Sequence, residues 1–253
     1  MTTPEKIKIA LCMSGHMRMY QKYLETLRPL AEEFELCLFL KTWDHMDFNY
    51  NPGDRCYHSP LQAGLDSKSP IDIEKIRQDY EAIGVTVIDI QTEPYISNEY
   101  WYSRFEKWCY GQEAVKNRLC QWMLIRDACQ MKMDYEKKHE MMFDYCIYTR
   151  PDVIYYPEHI CKYLFTDKIV LGDKQDPFHL NADHFWMGPS ESMDKVCCLF
   201  NDFEEIYQVT ANNEKFPLHC HRLLWWWCTY RNIPFINEKE HCAEIVKPDK
   251  FIF

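Results

Sequence analysis

The chain has 253 residues, long enough for one large or two small domains with a proper core. Its formal net charge of −10 excludes a general nucleic-acid binder, whose footprint is basic, but leaves room for a nucleotide in a local positive pocket. The 13 cysteines are odd in number, include no C-x-x-C and follow no signal-peptide pattern, so free thiols in a reducing cytoplasm are expected, not a disulfide framework or zinc ribbon.

In chain order, Ile7 to Met13 forms a first apolar strand that meets the turn Ser14-Gly15-His16-Met17-Arg18. Tyr20, Tyr23, Leu24, Leu27 and Leu30 then recur at helical spacing. Glu35 to Lys41 is a second strand, ending in Thr42-Trp43-Asp44. From Asp44 to Pro70 the chain is rich in Asn, Pro, Gly, Asp and Ser without periodicity, and its length marks a functional loop. A helix over Ile73 to Ile83 is expected to stop at Gly84, and Val85 to Ile90 is a third strand. One long helix covers Gln112 to Lys138, and Asp144 to Thr149 is the fourth strand.

The second half is less regular. Lys168 to Leu171 and His184 to Met187 are short strands, Glu191 to Tyr207 is a helix with Ser190 as its N-cap, and Leu218 to Tyr230 is another. No segment is apolar for long enough to span a membrane, so a soluble protein is expected. The repeated β-α-β order predicts an α/β fold: one domain with a mostly parallel central sheet and helices on both faces.

Three strand ends carry the chemistry, because ligands in such sheets bind at the carboxyl ends of the strands. The fourth strand runs into Arg150-Pro151-Asp152. A carboxylate there suits a hard cation or a sugar hydroxyl, and a guanidinium beside it suits phosphate oxygens. Together they point to a phosphorylated, polyhydroxylated ligand such as a nucleotide-sugar, although the pair also reads as a plain ion pair closing a turn. In the first turn Gly15 allows a sharp bend, the following N–H groups favour an anion, and Arg18 can reach a diphosphate. In T-W-D, Trp43 can stack on a base and Asp44 can accept from a ribose or base, or Trp43 can simply be core. His219 and His221 lie in a segment that reads as helix, where an H-x-H pair diverges and does not share a metal.

In this order the motifs resemble a family of small cytoplasmic glycosyltransferases found in bacterial surface-polysaccharide clusters and in large DNA viruses that glycosylate their capsids. The family pattern is S-G-x-x-R, T-W-D, Y-D-Y followed by R-x-D, and D-x-F-x-x-G. The matching segments are Ser14 to Arg18, Leu38 to Asp44, Phe143 to Asp152 and Asp183 to Gly188. The resemblance implies a GT-A-like fold, divided at about residue 152 into a nucleotide-binding and an acceptor-side half. It also implies a UDP- or GDP-sugar donor, a glycan acceptor and a divalent cation, Mn or Mg. On this resemblance Ser14, Gly15, His16, Arg18, Trp43, Asp44, Gln121, Arg150 and Asp152 form the donor site, with Asp152 at the metal.

The chain departs from the family's usual D-x-D, since Arg150 stands where one carboxylate is expected. Either Asp152 holds the metal with water and phosphates, or Arg150 takes over part of its neutralising task. Transfer also needs a base for the acceptor hydroxyl. Asp183 resembles the acidic residue on the acceptor side of inverting enzymes, with Glu191 in reserve, and Trp186 either floors the sugar site or is buried by strand alternation. Two other classes fit the same residues: a non-catalytic sugar- or nucleotide-binding module, and a metal-dependent hydrolase using Asp152, Asp183, His219 and His221.

Overall fold

The computed structural model describes residues 6–17, 20–46, 69–94, 100, 103–104, 113–171, 184–211, 220–237 and 242–244, and strands, helices and contacts are counted over these. β1 (Lys8–Gly15) and β2 (Glu35–Trp43) are apolar on both faces and buried on both, as strands covered by helices on each side must be. Between them α1 (Tyr20–Tyr23) tightens into a 3-10 turn (Leu24–Leu27) and resumes as α2 (Arg28–Glu33). All five residues at the predicted helical spacing are buried there. In α3 (Ile73–Ala82) the Asp72 carboxylate accepts from the Lys75 N–H at the amino end, and Gly84 follows the other end at φ +90°.

β3 (Thr86–Glu93), α4 (Glu113–His139) and β4 (Tyr145–Thr149) complete the first half. Beyond them come β5 (Ile154–Tyr155), α5 (Pro157–Tyr163), β6 (Ile169–Leu171), β7 (Phe185–Pro189) and α6 (Ser190–Cys197). A 3-10 turn (Cys198–Asp202), α7 (Phe203–Ala211), α8 (Cys220–Tyr230), β8 (Phe235–Asn237) and β9 (Ala243–Glu244) follow. Seven strands form one sheet in the order β3-β2-β1-β4-β7-β6-β8, and β5 pairs with β9 separately. Within the large sheet β7 alone runs against the others, antiparallel to both β4 and β6.

Alternate residues of each strand feed two cores. Ala10, Cys12, Phe39 and Trp186 face α4 and α6, whereas Ile9, Leu11 and Met13 face the α1–α2 segment and α3. The expected α/β architecture, mostly parallel with helices on both faces, is what the chain adopts. The ten cysteines whose side chains are described are free, and Cys12, Cys37 and Cys146 are buried in the core. No helix among the described residues is long and apolar enough to cross a membrane.

Two local expectations are corrected, and one open alternative is decided. Ser190 does not cap α6: the cap position is Pro189, and the Ser190 hydroxyl donates instead to Glu136 Oε1 at 3.0 Å. Glu136 also takes the Phe143 N–H at 2.9 Å and lies 3.0 Å from the ammonium of Lys132, a fully buried lysine that reaches Asp194 at 2.6 Å. The buried ammonium needs these acceptors, and the serine is drawn into their network. The helix expected from Glu191 to Tyr207 is broken by the 3-10 turn, because Leu199 and Phe203 both turn into the α4 side of the core. Trp186 is fully buried between Trp122 (ring centroids 5.2 Å) and Tyr148 (4.4 Å), so it floors no open site.

Candidate functional site

The connections set the place. From β1 the chain moves outward to β2 and β3 on one side, and α4 then carries it back across the sheet to β4 on the other side of β1. The carboxyl ends of β1 and β4 therefore flank a topological switch point, where loops leave in opposite directions and a crevice opens. Ser14 Oγ and Tyr148 Oη are hydrogen-bonded across it at 3.0 Å, and both side chains are buried. Ser14 thus braces the crevice, which leaves the backbone of its turn to meet a ligand.

Gly15 lies at φ +121°, a conformation that side-chain-bearing residues avoid. Its carbonyl accepts from Thr42 Oγ1 at 2.8 Å, and a Cβ built on it would have Pro151 Cδ at 4.0 Å. The S-G-H turn is thus tied to T-W-D by a hydrogen bond, with Pro151 of R-P-D close by. The sequence motifs of β1, β2 and β4 meet at one point.

In R-P-D the two charges close on each other. Arg150 donates through Nε to Asp152 Oδ1 at 2.8 Å and through a terminal nitrogen to Oδ2 at 2.7 Å, a two-pronged fork. The Asp152 side chain is 2% exposed and that of Arg150 19%, so the cation is the accessible half. Tyr155 Oη donates to the Arg150 carbonyl at 3.0 Å, and burial pushes the pKa of its hydroxyl up. The Tyr155 N–H donates to Thr26 Oγ1 at 3.1 Å, and Thr26 Oγ1 donates to the Tyr23 carbonyl at 2.6 Å. The 3-10 turn after β1 is thereby stapled to the segment that follows Asp152.

The other expected residues are placed unevenly. His16 stacks on Trp43 with ring centroids 6.1 Å apart, and Trp43 is buried. Asp44 Oδ1 lies 2.6 Å from His45 Nδ1 at the same edge. Gln121 is half-buried in the first third of α4, level with the Trp122–Trp186 stack. Glu191 is not brought to the site. β7 runs from Phe185 beside Thr149 at the carboxyl edge to Pro189 beside Tyr145 at the amino edge, so α6 begins at the far end. There Glu191 accepts from Lys195 at 2.9 Å in an exposed pair. Arg18, Asp183 and His219 lie outside the described residues, as does the side chain of His221, while His184, next to Asp183, enters β7 at the carboxyl edge.

Lys41 and Glu93 were not singled out by the sequence. Lys41 lies opposite Ser14 in the β1–β2 register, is nearly buried, and its ammonium is 3.2 Å from Glu93 Oε2 and 3.3 Å from the Thr92 carbonyl. A lysine inside an otherwise apolar strand next to T-W-D was the available signal. Among the described residues no group of three His, Cys, Asp or Glu side chains is arranged to hold a metal ion. The described donor set for a cation at R-P-D is the single Asp152 carboxylate, already carrying both Arg150 prongs, and does not by itself amount to a resident site.

No protein-family description and no curated protein matches the chain. Among solved structures it is similar to the glycosyltransferase GlyE of Streptococcus pneumoniae TIGR4. The apo form matches at 8% identity with a TM-score of 0.41, over 92% of this chain and 45% of that one. A second GlyE structure matches at the same identity and TM-score, over 91% and 44%. The chain spans less than half the length of these proteins.

Proposed function

We propose that the protein is a glycosyltransferase that moves a sugar from a nucleoside-diphosphate-sugar, UDP- or GDP-linked, to a hydroxyl of a glycan acceptor with inversion. The observation that carries this reading is the hydrogen bond from Thr42 to the Gly15 carbonyl at the switch point, with Pro151 close by and the Arg150 guanidinium partly exposed at the end of the neighbouring strand. A diphosphate laid along this edge meets backbone N–H groups after Gly15 and the guanidinium of Arg150.

In the reaction the acceptor oxygen bonds to the anomeric carbon as the bond from that carbon to the diphosphate oxygen breaks. The electron pair leaves with the diphosphate, whose charge Arg150 stabilises. The hydroxyl proton passes to a carboxylate on the opposite side of the sugar, a role we assign to Asp183. A divalent cation, Mn or Mg, would have Asp152 as its protein ligand and would help Arg150 neutralise the charge of the departing diphosphate.

The test is calorimetric titration with UDP, GDP and their sugars, with and without Mn²⁺, followed by assay of donor turnover and NMR of the product's anomeric configuration. Saturable nucleotide binding lost on Arg150→Ala supports the reading. Failure of every nucleotide to bind overturns it. Binding without any donor turnover returns the protein to the class of non-catalytic modules, and retention of configuration removes Asp183 from its role.

A further inference from the structure

Two peptide carbonyls at the switch point are each held by a buried hydroxyl. Thr42 Oγ1 donates to the Gly15 carbonyl at 2.8 Å, at the carboxyl end of β1. Tyr155 Oη donates to the Arg150 carbonyl at 3.0 Å, one residue beyond the end of β4. Thr42 is fully buried and Tyr155 is 3% exposed, so both carbonyl oxygens point into the protein and not into the crevice. Both hydroxyls are anchored. Thr42 lies in β2, in register with Gly15. Tyr155 is paired with Ala243 of β9, and its N–H is bound by Thr26. Thr149 Oγ1 is 3.5 Å from the Arg150 carbonyl, too long to hold it firmly in place of Tyr155.

The direction of these carbonyls matters to an anion. A diphosphate is drawn to N–H groups and cations and repelled by carbonyl oxygens. A carbonyl turned outward at either strand end would set a partial negative charge against it, beside the guanidinium to which the proposed function gives the diphosphate. We infer that Thr42 and Tyr155 are positioning residues for a diphosphate: they hold the Gly15 and Arg150 carbonyls inward and keep their charge off the face that Arg150 presents. Neither side chain touches the ligand. The inference deepens the proposed function and rests on it for the place of the diphosphate.

The experiment compares wild-type protein with Thr42→Val and Tyr155→Phe, each of which removes one hydroxyl and keeps the side chain's bulk. Calorimetry measures inorganic pyrophosphate, UDP and GDP, and ligand-observed NMR measures the uncharged nucleosides uridine and guanosine. Each variant should bind pyrophosphate and the nucleoside diphosphates about tenfold more weakly than wild type. Nucleoside affinity should stay level, because the displaced carbonyl acts on the phosphates. Thr42→Ser keeps a hydroxyl and should bind like wild type.

Equal losses for nucleoside and pyrophosphate show an ordinary structural role and overturn the inference, as does unchanged pyrophosphate affinity. Where both variants fold, a loss confined to one of them overturns the pairing; should one not fold, the other decides alone. If wild-type protein binds pyrophosphate but no nucleotide, the proposed function falls while pyrophosphate still decides the roles of Thr42 and Tyr155. If it binds none of these anions, both fall.

Discussion

At the scale of single residues, the two halves of the fork are unequal. Replacing Arg150 takes two donors from a carboxylate with almost no access to water, whereas replacing Asp152 leaves a guanidinium that is partly exposed and can turn outward. Arg150→Ala should therefore cost about 3–5 kcal/mol and Asp152→Asn clearly less, as read by urea denaturation. Equal losses would mean that the carboxylate finds other cover. On activity, Asp183→Asn should keep nucleotide affinity and lower turnover by about 10²–10⁴, checked by calorimetry beside a steady-state assay. Much at this scale was legible: a strand ending in Arg-Pro-Asp and a Ser-Gly turn are visible in the sequence, and they do meet. That Arg150 closes on Asp152 was one of two readings the sequence offered, and the choice between them was not legible, since it depends on the bend at Pro151. Nor was the burial of Trp43 and Trp186, since each tryptophan suits a core or a ligand equally well until its strand face is known.

At the scale of elements, the strands and the long helix were legible because their apolar runs and spacing are strong, whereas the direction of β7 was not. A run of five residues carries no mark of parallel or antiparallel pairing, and that direction alone sends Glu191 to the far edge. The Lys132 network between α4 and α6 was hidden for a related reason, since a lysine in a helix is ordinarily taken for surface. It makes a pH prediction. Burial raises the Asp194 carboxyl to about 6, against the pull of its hydrogen bond and charge pairing with Lys132. The native state then holds that proton more tightly than the unfolded chain. The associated stability is fully present below about pH 4 and is lost as pH rises through about 6. Wild-type protein should accordingly lose stability relative to Asp194→Asn between about pH 4 and about pH 7, measured by denaturant midpoints across that window.

At the scale of the whole molecule, one sheet joins both halves of the chain, and its two cores are well supplied with thiols. The Sγ atoms of Cys12 and Cys146 are 3.7 Å apart on neighbouring strands, in contact but unbonded. Thermal melts with and without reductant should therefore coincide. A Tm lowered by reductant would reveal a cross-link and remove the cytoplasmic expectation with it.

The stack that runs Ser14, Tyr148, Trp186, Trp122 has an optical consequence. Two indoles lying nearly parallel at contact distance couple their electronic transitions, so the folded protein should give an excitonic couplet in far-ultraviolet circular dichroism. The sign and size of such a couplet depend on the mutual tilt of the rings, and the outer end of this stack is hydrogen-bonded into the crevice wall. Ligand at the carboxyl ends of β1 and β4 should perturb the signal without any label attached, and Trp122→Phe should remove this pair's part of the couplet, leaving that of Trp226 and Trp227 and the nucleotide affinity in place.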